Sequence, residues 1–216
     1  MKRPFWIALF AAIAFVAIVL MRMPAAWVLP VRGPQWSCAS IEGSLWSGGC
    51  AGLTVSHGPA DAAADVELRF GERLTARNLS ADLPLDPALL PAVPPTLHGR
   101  AHVQLALAEL QHGIVRQLQG RIEARNLEER SGNNTALGSY AVSFPGGSGD
   151  QVGTLRDLEG PLALEGTLHL TRQPGFELEG QIATRSGAPP ELVNNIRFLG
   201  SPDASGRRPF SLSGTF

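Results

Sequence analysis

Apolar and polar residues alternate over much of the chain, and this periodicity constrains the fold more than any other feature. In residues 161–170, PLALEGTLHL, the even positions carry leucine or glycine, whereas the odd positions include Glu165, Thr167 and His169. A period of two residues is typical of a β-strand with one apolar and one solvated face. The same alternation occurs at residues 66–70, 103–107, 118–124, 176–182 and 210–216. Residues 172–175, RQPG, predict a turn that joins two of these strands into a hairpin.

Glycine recurs on the apolar side of these strands. The tripeptide Leu-x-Gly occurs six times, and its glycines are Gly99, Gly120, Gly160, Gly166, Gly180 and Gly214. Glycine inside a strand weakens it and marks a bend or a close approach of two backbones. Because the glycine repeats from strand to strand, we predict an antiparallel sheet of about 9–10 strands that curves around its apolar face.

Two short helices are predicted beside this sheet. In LDPALLPAV, Asp86 is placed to cap a helix whose first residue is Pro87. The second predicted helix begins at Pro190 and ends before Gly200, and its leucine, valine and isoleucine side chains share one face. We expect this second helix to cover one end of the sheet.

The N-terminus contains an apolar segment that differs from everything after it. Residues 5–21 carry no charge and would form a helix of roughly 26 Å, which is just enough to cross a bilayer. The segment is longer than the apolar region of a cleavable signal peptide, and MPAAW matches a cleavage site poorly. We therefore interpret it as an uncleaved signal anchor, with a cleaved peptide as the alternative. Lys2 and Arg3 outweigh Arg22, so the N-terminus is expected in the cytoplasm.

These observations together predict four segments. Residues 1–4 are a cytoplasmic start, residues 5–22 a transmembrane helix, residues 23–35 a membrane-proximal linker, and residues 36–216 a β-rich exported domain. Without Lys2, Arg3 and Arg22, the remaining chain has a net charge of −4. No basic stripe is left that would attract a phosphate backbone, so nucleic acid is not an expected partner.

Cys38 and Cys50 are the only cysteines, an even number in a compartment that the predicted topology makes oxidising. Their midpoint is Ser44, so a hairpin turning at residues 43–45 would place them opposite each other. We predict a disulfide worth roughly 3 kcal/mol. The alternative is a pair of buried free thiols.

No catalytic, cofactor or metal site is predicted. His98 and His102 lie four residues apart on a strand, hence about 13 Å from each other, which is too far for one metal ion. Residues 146–150, GGSGD, lack the final glycine of a nucleophile elbow and fit a flexible loop. Carboxylates such as Glu165 and Glu177 are expected on the solvated face. The apolar face has three possible uses: it could hold an acyl chain, accept a partner's strand, or fold over as the core.

Three segments carry a resemblance to a known family. Residues 43–55 (GSLWSGGCAGLTV), 160–170 (GPLALEGTLHL) and 188–216 resemble the type II secretion system protein N family, also called general secretion pathway protein N. The matching signature residues are Gly43, Leu45, Trp46, Ser47 and Gly48. The resemblance implies one cell inner-membrane anchor and a β-rich periplasmic domain. It also implies a non-enzymatic role in moving folded proteins from the periplasm across the outer membrane.

The resemblance further implies partners among the inner-membrane platform proteins and the outer-membrane secretin, and no cofactor. Trp46 is expected to pack on the apolar face after the membrane anchor, either as a core aromatic or as a docking residue. A competing resemblance remains, because a curved one-sided sheet also looks like the AsmA-like periplasmic proteins. That resemblance would imply lipid binding or lipid handling. A periplasmic hydrolase is a third class, for which the sequence offers little.

Overall fold

The computed structural model describes residues 35–43, 47–57, 60–69, 73–86, 93–131, 134–147, 149–171 and 175–215. The predicted transmembrane segment, almost all of the linker and most of the first predicted helix lie outside these ranges. Within them, no helix has the length and apolar character that crossing a membrane requires.

Twelve strands and one helix make up the described chain. The strands are β1 (Trp36–Ser37), β2 (Ser40–Gly43), β3 (Ser47–His57), β4 (Ala60–Arg69), β5 (Arg73–Pro84), β6 (Leu97–Gln111), β7 (Ile114–Glu129), β8 (Thr135–Pro145), β9 (Gln151–Glu159), β10 (Leu162–Leu170), β11 (Phe176–Thr184) and β12 (Arg208–Gly214). The helix, α1, is Pro190–Arg197. The predicted mainly β fold is confirmed, with more strands than the 9–10 expected.

The strands form one open antiparallel sheet in which neighbours in sequence are neighbours in space. From β3 to β12 each strand pairs with the next, and β1 and β2 both pair with β3. The predicted hairpin is β10–β11, where Leu164 lies opposite Ile182 and Leu168 opposite Leu178. This register places the alternating apolar residues of both strands on the same face, as the sequence pattern predicts.

One buried cluster joins neighbouring strands on the apolar face. Leu105, Leu118 and Phe144, on β6, β7 and β8, form this cluster, and Leu168 and Leu170 from β10 pack against it. The ring of Phe144 lies over Gly153 of β9, the strand between β8 and β10. The core is therefore formed by side chains of nearby strands on one face of the sheet, and the predicted curvature stays a prediction.

A second cluster closes one end of the sheet. Leu162 of β10 and Ile182 of β11 pack against Leu192 and Ile196 of α1. Pro189 precedes the helix and Pro190 is its first residue, a position where the missing N–H of proline costs nothing. The prediction that this helix covers an end of the sheet is confirmed.

The repeated glycines make room for backbone and for aromatic rings. Gly180 lies opposite Gly166 on β10 and opposite Phe210 on β12. A Cβ atom at position 180 would be 2.8 Å from the Cα of Gly166 and 2.9 Å from Cε1 of Phe210. Gly214 is likewise within reach of the ring of Phe176. The glycines therefore allow phenylalanine rings to lie flat on the neighbouring strand.

Replacing Gly180 with alanine is expected to destabilise the sheet by about 1–3 kcal/mol, because the added methyl group overpacks the contact between β10, β11 and β12. Urea unfolding of the purified full chain, followed by circular dichroism, measures the change. Gln181→Ala, at the adjacent exposed position, is the matched control and should change the free energy of unfolding little. Equal stability of Gly180→Ala and wild type would contradict the close approach.

Candidate interaction surface

The last strand of the sheet, β12, presents an edge. It pairs with β11 and with no other strand of the described chain. The first half of β12 is protected against further pairing, since Arg208 is charged and Pro209 has no backbone N–H. The second half, residues 210–214, has neither a charge nor a proline. Leu212 in this half is 56% exposed, which is unusual for a leucine on the apolar face of a sheet.

Two apolar residues follow the helix. Phe198 is the C-cap of α1 and is 88% exposed, and Leu199 after it is 42% exposed. Leu199 was expected on the buried face of the helix. The helix ends at Arg197, and Leu199 lies two residues beyond that end, outside the buried cluster of Leu192 and Ile196.

The signature segment lies at the opposite edge of the sheet, in the hairpin of β2 and β3. Gly43 pairs with Gly48 and has a φ of 91°, a left-handed conformation that favours glycine. A Cβ atom at position 43 would be 2.9 Å from the Cα of Gly48. Ser47 is the first residue of β3. Leu45 and Trp46 lie outside the described residues, so the packing of Trp46 stays a prediction.

A disulfide joins Cys38 and Cys50, with a Cα–Cα distance of 5.7 Å. The predicted geometry is wrong, however, because the register places Ile41, not Cys38, opposite Cys50. Cys38 lies in the break between β1 and β2. The register of β3 shifts between Cys50 and Leu53, and this bulge lies beside the disulfide.

Asp65 of the neighbouring strand β4 stabilises the same bulge through hydrogen bonds. Its carboxylate accepts a hydrogen bond from the backbone N–H of Gly52 at 2.8 Å and another from Nδ2 of Asn78 at 3.0 Å. Gly52 and Asn78 both have positive φ and sit where β3 and β5 shift register against β4. The hydrogen bond from Gly52, followed by that from Asn78, lowers the pKa of Asp65. One ionised side chain thus fixes two bulges.

A groove of about 870 Å³ lies on the β9–β12 part of the sheet. Its lining includes solvated residues, such as Thr154 and Glu179, and the paired glycines Gly166 and Gly180. A second groove of about 700 Å³ lies on β2–β5 and is lined by Glu42, Asp65 and the glycines of the signature hairpin. The linings of both grooves contain polar and apolar groups.

Gln151 anchors the loop that contains GGSGD. Its side chain is buried, and Oε1 accepts a hydrogen bond from the backbone N–H of Leu118 at 2.7 Å. Nε2 donates to the carbonyl oxygens of Arg116, Gly147 and Gly149. The described part of the loop is therefore tied to β7 through one glutamine.

The solvated face is organised by ion pairs. Glu123 accepts hydrogen bonds from Arg121 and Arg125, at 2.6 and 2.5 Å. Burial opposes ionisation of Glu123, but the hydrogen bonds and charges of the two arginines outweigh it and lower its pKa. Asp157, which accepts from Arg185 and from the backbone N–H of Leu164, has its pKa lowered in the same way despite burial.

The histidines and carboxylates are not brought together into a metal site in the described part of the chain. Nδ1 of His102 lies 3.5 Å from Asp82, whereas Nδ1 of His98 lies 3.2 Å from the carbonyl oxygen of Thr96. Glu165 accepts a hydrogen bond from Arg207. Each of these groups therefore has its own local partner.

The apolar face is filled by its own side chains, in the two clusters described above. The three uses that the sequence left open stay predictions, since these clusters show a packed core but not a sheet that folds over on itself. The most exposed large hydrophobic residues of the described chain are Phe198 after α1 and Leu212 on the β12 edge. The sequence pattern does not single out Phe198, which follows Ile196 by two residues and so lies on the opposite, solvated side of the predicted helix.

Comparison with known proteins identifies a family. Residues 51–211 match the family model described as type II secretion system (T2SS), protein N. A search of curated proteins and a search of solved structures each return no match. The matched range runs from β3 to β12 and includes α1, so it covers nearly all of the described sheet and well over half of the chain. The chain therefore belongs to the type II secretion system protein N family.

Proposed function

We propose that this protein is a non-enzymatic component of the type II secretion system, held in the inner membrane by residues 5–22. Its sheet then lies in the periplasm and assists the export of folded proteins across the outer membrane. The observation that carries the proposal is the family match over residues 51–211. The 17-residue uncharged segment before the sheet supports the anchor.

The partner is proposed to be an extended segment of another secretion component, which adds a strand to β12. Strand addition uses main-chain hydrogen bonds for affinity and pockets for alternate side chains for specificity. Residues 210–214 offer an edge for such pairing, and Leu212 offers an apolar contact on one face of the incoming strand. Arg208 and Pro209 restrict the pairing to this half of β12 and so set its register.

A non-polar deletion of the gene tests the functional class. We expect a normally secreted enzyme to accumulate in the periplasm and to fall in the medium, and the wild-type gene supplied in trans should restore secretion. Enzyme activity in the two fractions, with a cytoplasmic marker to exclude lysis, is the measurement. Unchanged secretion with altered outer-membrane permeability would oppose the proposal and favour lipid handling.

A further inference from the structure

The antiparallel order gives the sheet two ends, and we call the end at which β1 begins the proximal end. Trp36 of β1 pairs with Val55 near the end of β3. At the other side of the sheet, Ile182 near the end of β11 pairs with Arg208, the first residue of β12. Because neighbouring strands run in opposite directions, β3, β5, β7, β9 and β11 all end at the proximal end. α1 follows β11 and therefore lies at this end too.

Exposed large hydrophobic side chains concentrate at the proximal end. Of the six in the described chain, Val55, Leu158, Phe198 and Leu199 are at the proximal end, and Val152 and Leu212 are at the other. Phe198 is the most exposed of them, and Leu199 is its neighbour in sequence. These two consecutive residues form one apolar projection beyond the helix, which we call the Phe198–Leu199 tip.

Arginine side chains stand beside this tip. Arg197 is exposed in the last turn of α1, and the guanidinium of Arg208 donates to the carbonyl oxygen of Gly200. Apolar side chains next to arginines match the boundary between lipid acyl chains and headgroups. The apolar groups reach the acyl region, while the guanidinium groups stay among the phosphates. In bulk water, the apolar side chains of the tip stay exposed to solvent.

The chain that precedes the sheet limits how far the proximal end can be from a membrane. Only residues 23–34 separate the proposed anchor, residues 5–22, from Gln35. Fully extended, these residues span at most about 40 Å. Trp36 follows directly and lies at the proximal end. The proximal end, which carries the Phe198–Leu199 tip, is therefore the end whose β1 side the linker holds within about 40 Å of the anchor.

We propose that the Phe198–Leu199 tip inserts into the interface of the phospholipid bilayer that holds the anchor. The sheet is then fixed to the membrane at two places, the linker before β1 and the tip after α1, on opposite sides of the sheet. This orients the β12 edge relative to the membrane. The inference rests on the inner-membrane anchoring under the proposed function, and it goes beyond it by assigning a lipid contact to α1.

Photocrosslinking of the full chain tests this contact. A photoreactive p-benzoylphenylalanine replaces Phe198 in one variant and Leu212 in a matched variant, and each protein is reconstituted in vesicles of host phospholipid. Both positions are exposed, so both variants should fold. We expect about tenfold more phospholipid adduct at position 198 than at position 212, because an inserted side chain lies about 5–10 Å into the headgroup and acyl boundary. Mass spectrometry quantifies the adducts.

Carbonate extraction of the same vesicles tests the membrane anchor separately from the lipid contact of the tip. Retention of the chain with equal, or no, lipid adduct at positions 198 and 212 overturns the tip contact and leaves the anchor intact. Retention with protein adducts alone at position 198 also overturns it, since another polypeptide then covers the tip. Release of the chain by carbonate overturns both the anchor and the contact. A strong lipid adduct at position 198 with retention is the expected result.

Discussion

Replacing Phe144 with alanine is expected to reduce the free energy of unfolding by about 3–5 kcal/mol, because the substitution removes a large ring from the core of the sheet. The ring is 4% exposed and packs with Leu105 and Leu118 in the cluster that joins β6, β7 and β8. It also lies over Gly153 of β9, where a Cβ atom would be 2.7 Å from the ring. Removing the ring leaves a cavity that the surrounding strands fill only in part.

Leu212→Ala is the control, since it removes an apolar side chain from a position that is 56% exposed and lies outside the Phe198–Leu199 tip. In micelles, its effect on the free energy of unfolding should stay within about 0.5 kcal/mol. Urea unfolding of both variants in detergent measures the difference. Similar losses for the two variants would show that the cluster around Phe144 is not the core of the sheet.

Removal of the disulfide is expected to have the second largest effect, about 3 kcal/mol for a closed loop of this length. Cys38 and Cys50 are separated by 12 positions, and the bond fixes β1 and β2 beside the bulge of β3. A Cys38→Ser, Cys50→Ser double variant should unfold at lower urea than wild type. Reductant should lower the stability of wild type to that of the double variant and leave the variant unchanged.

Alkylation provides the direct check on the bond. Protein denatured without reductant should expose no reactive thiol, and reduced protein should expose two. Two alkylated thiols in non-reduced protein would contradict the disulfide and also the stabilisation predicted from it.

The sequence pattern predicts strands well where the apolar face is actually lined by apolar side chains. Leu164 and Ile182 alternate with solvated residues, and the β10–β11 hairpin follows from them. β8 and β9 are not evident, because polar Thr135, Ser139 and Gln151 are among their buried residues. Each has a partner that a single sequence does not indicate, such as the backbone groups that Gln151 contacts on β7 and in the GGSGD loop.

The position of the cysteines shows a different limit. Spacing alone places Cys38 opposite Cys50 in a hairpin centred on Ser44, but Gly43 pairs with Gly48, so that Ile41 lies opposite Cys50. The bulge of β3 against β4 near Gly52 is not evident from spacing either. The bulge depends on a carboxylate, Asp65, thirteen positions further along the chain. Likewise, the exposure of Leu199 depends on where α1 ends, which the amphipathic pattern does not specify. That β12 is an edge strand of the described sheet follows only from the order of its twelve strands.

We propose that this secretion component binds its partner through the edge of β12, and one complementation measurement tests this proposal. A deletion strain receives the wild-type gene, Leu212→Lys or Val152→Lys. Both substitutions place lysine at an exposed apolar position at the same end of the sheet, but only Leu212 lies on an edge strand. Lysine on an edge opposes the addition of a further strand.

We predict that Leu212→Lys, at wild-type abundance and protease resistance, leaves the secreted enzyme in the periplasm, whereas Val152→Lys restores its activity in the medium. Secretion at the wild-type level by Leu212→Lys would contradict the account, and so would an equal loss with both variants.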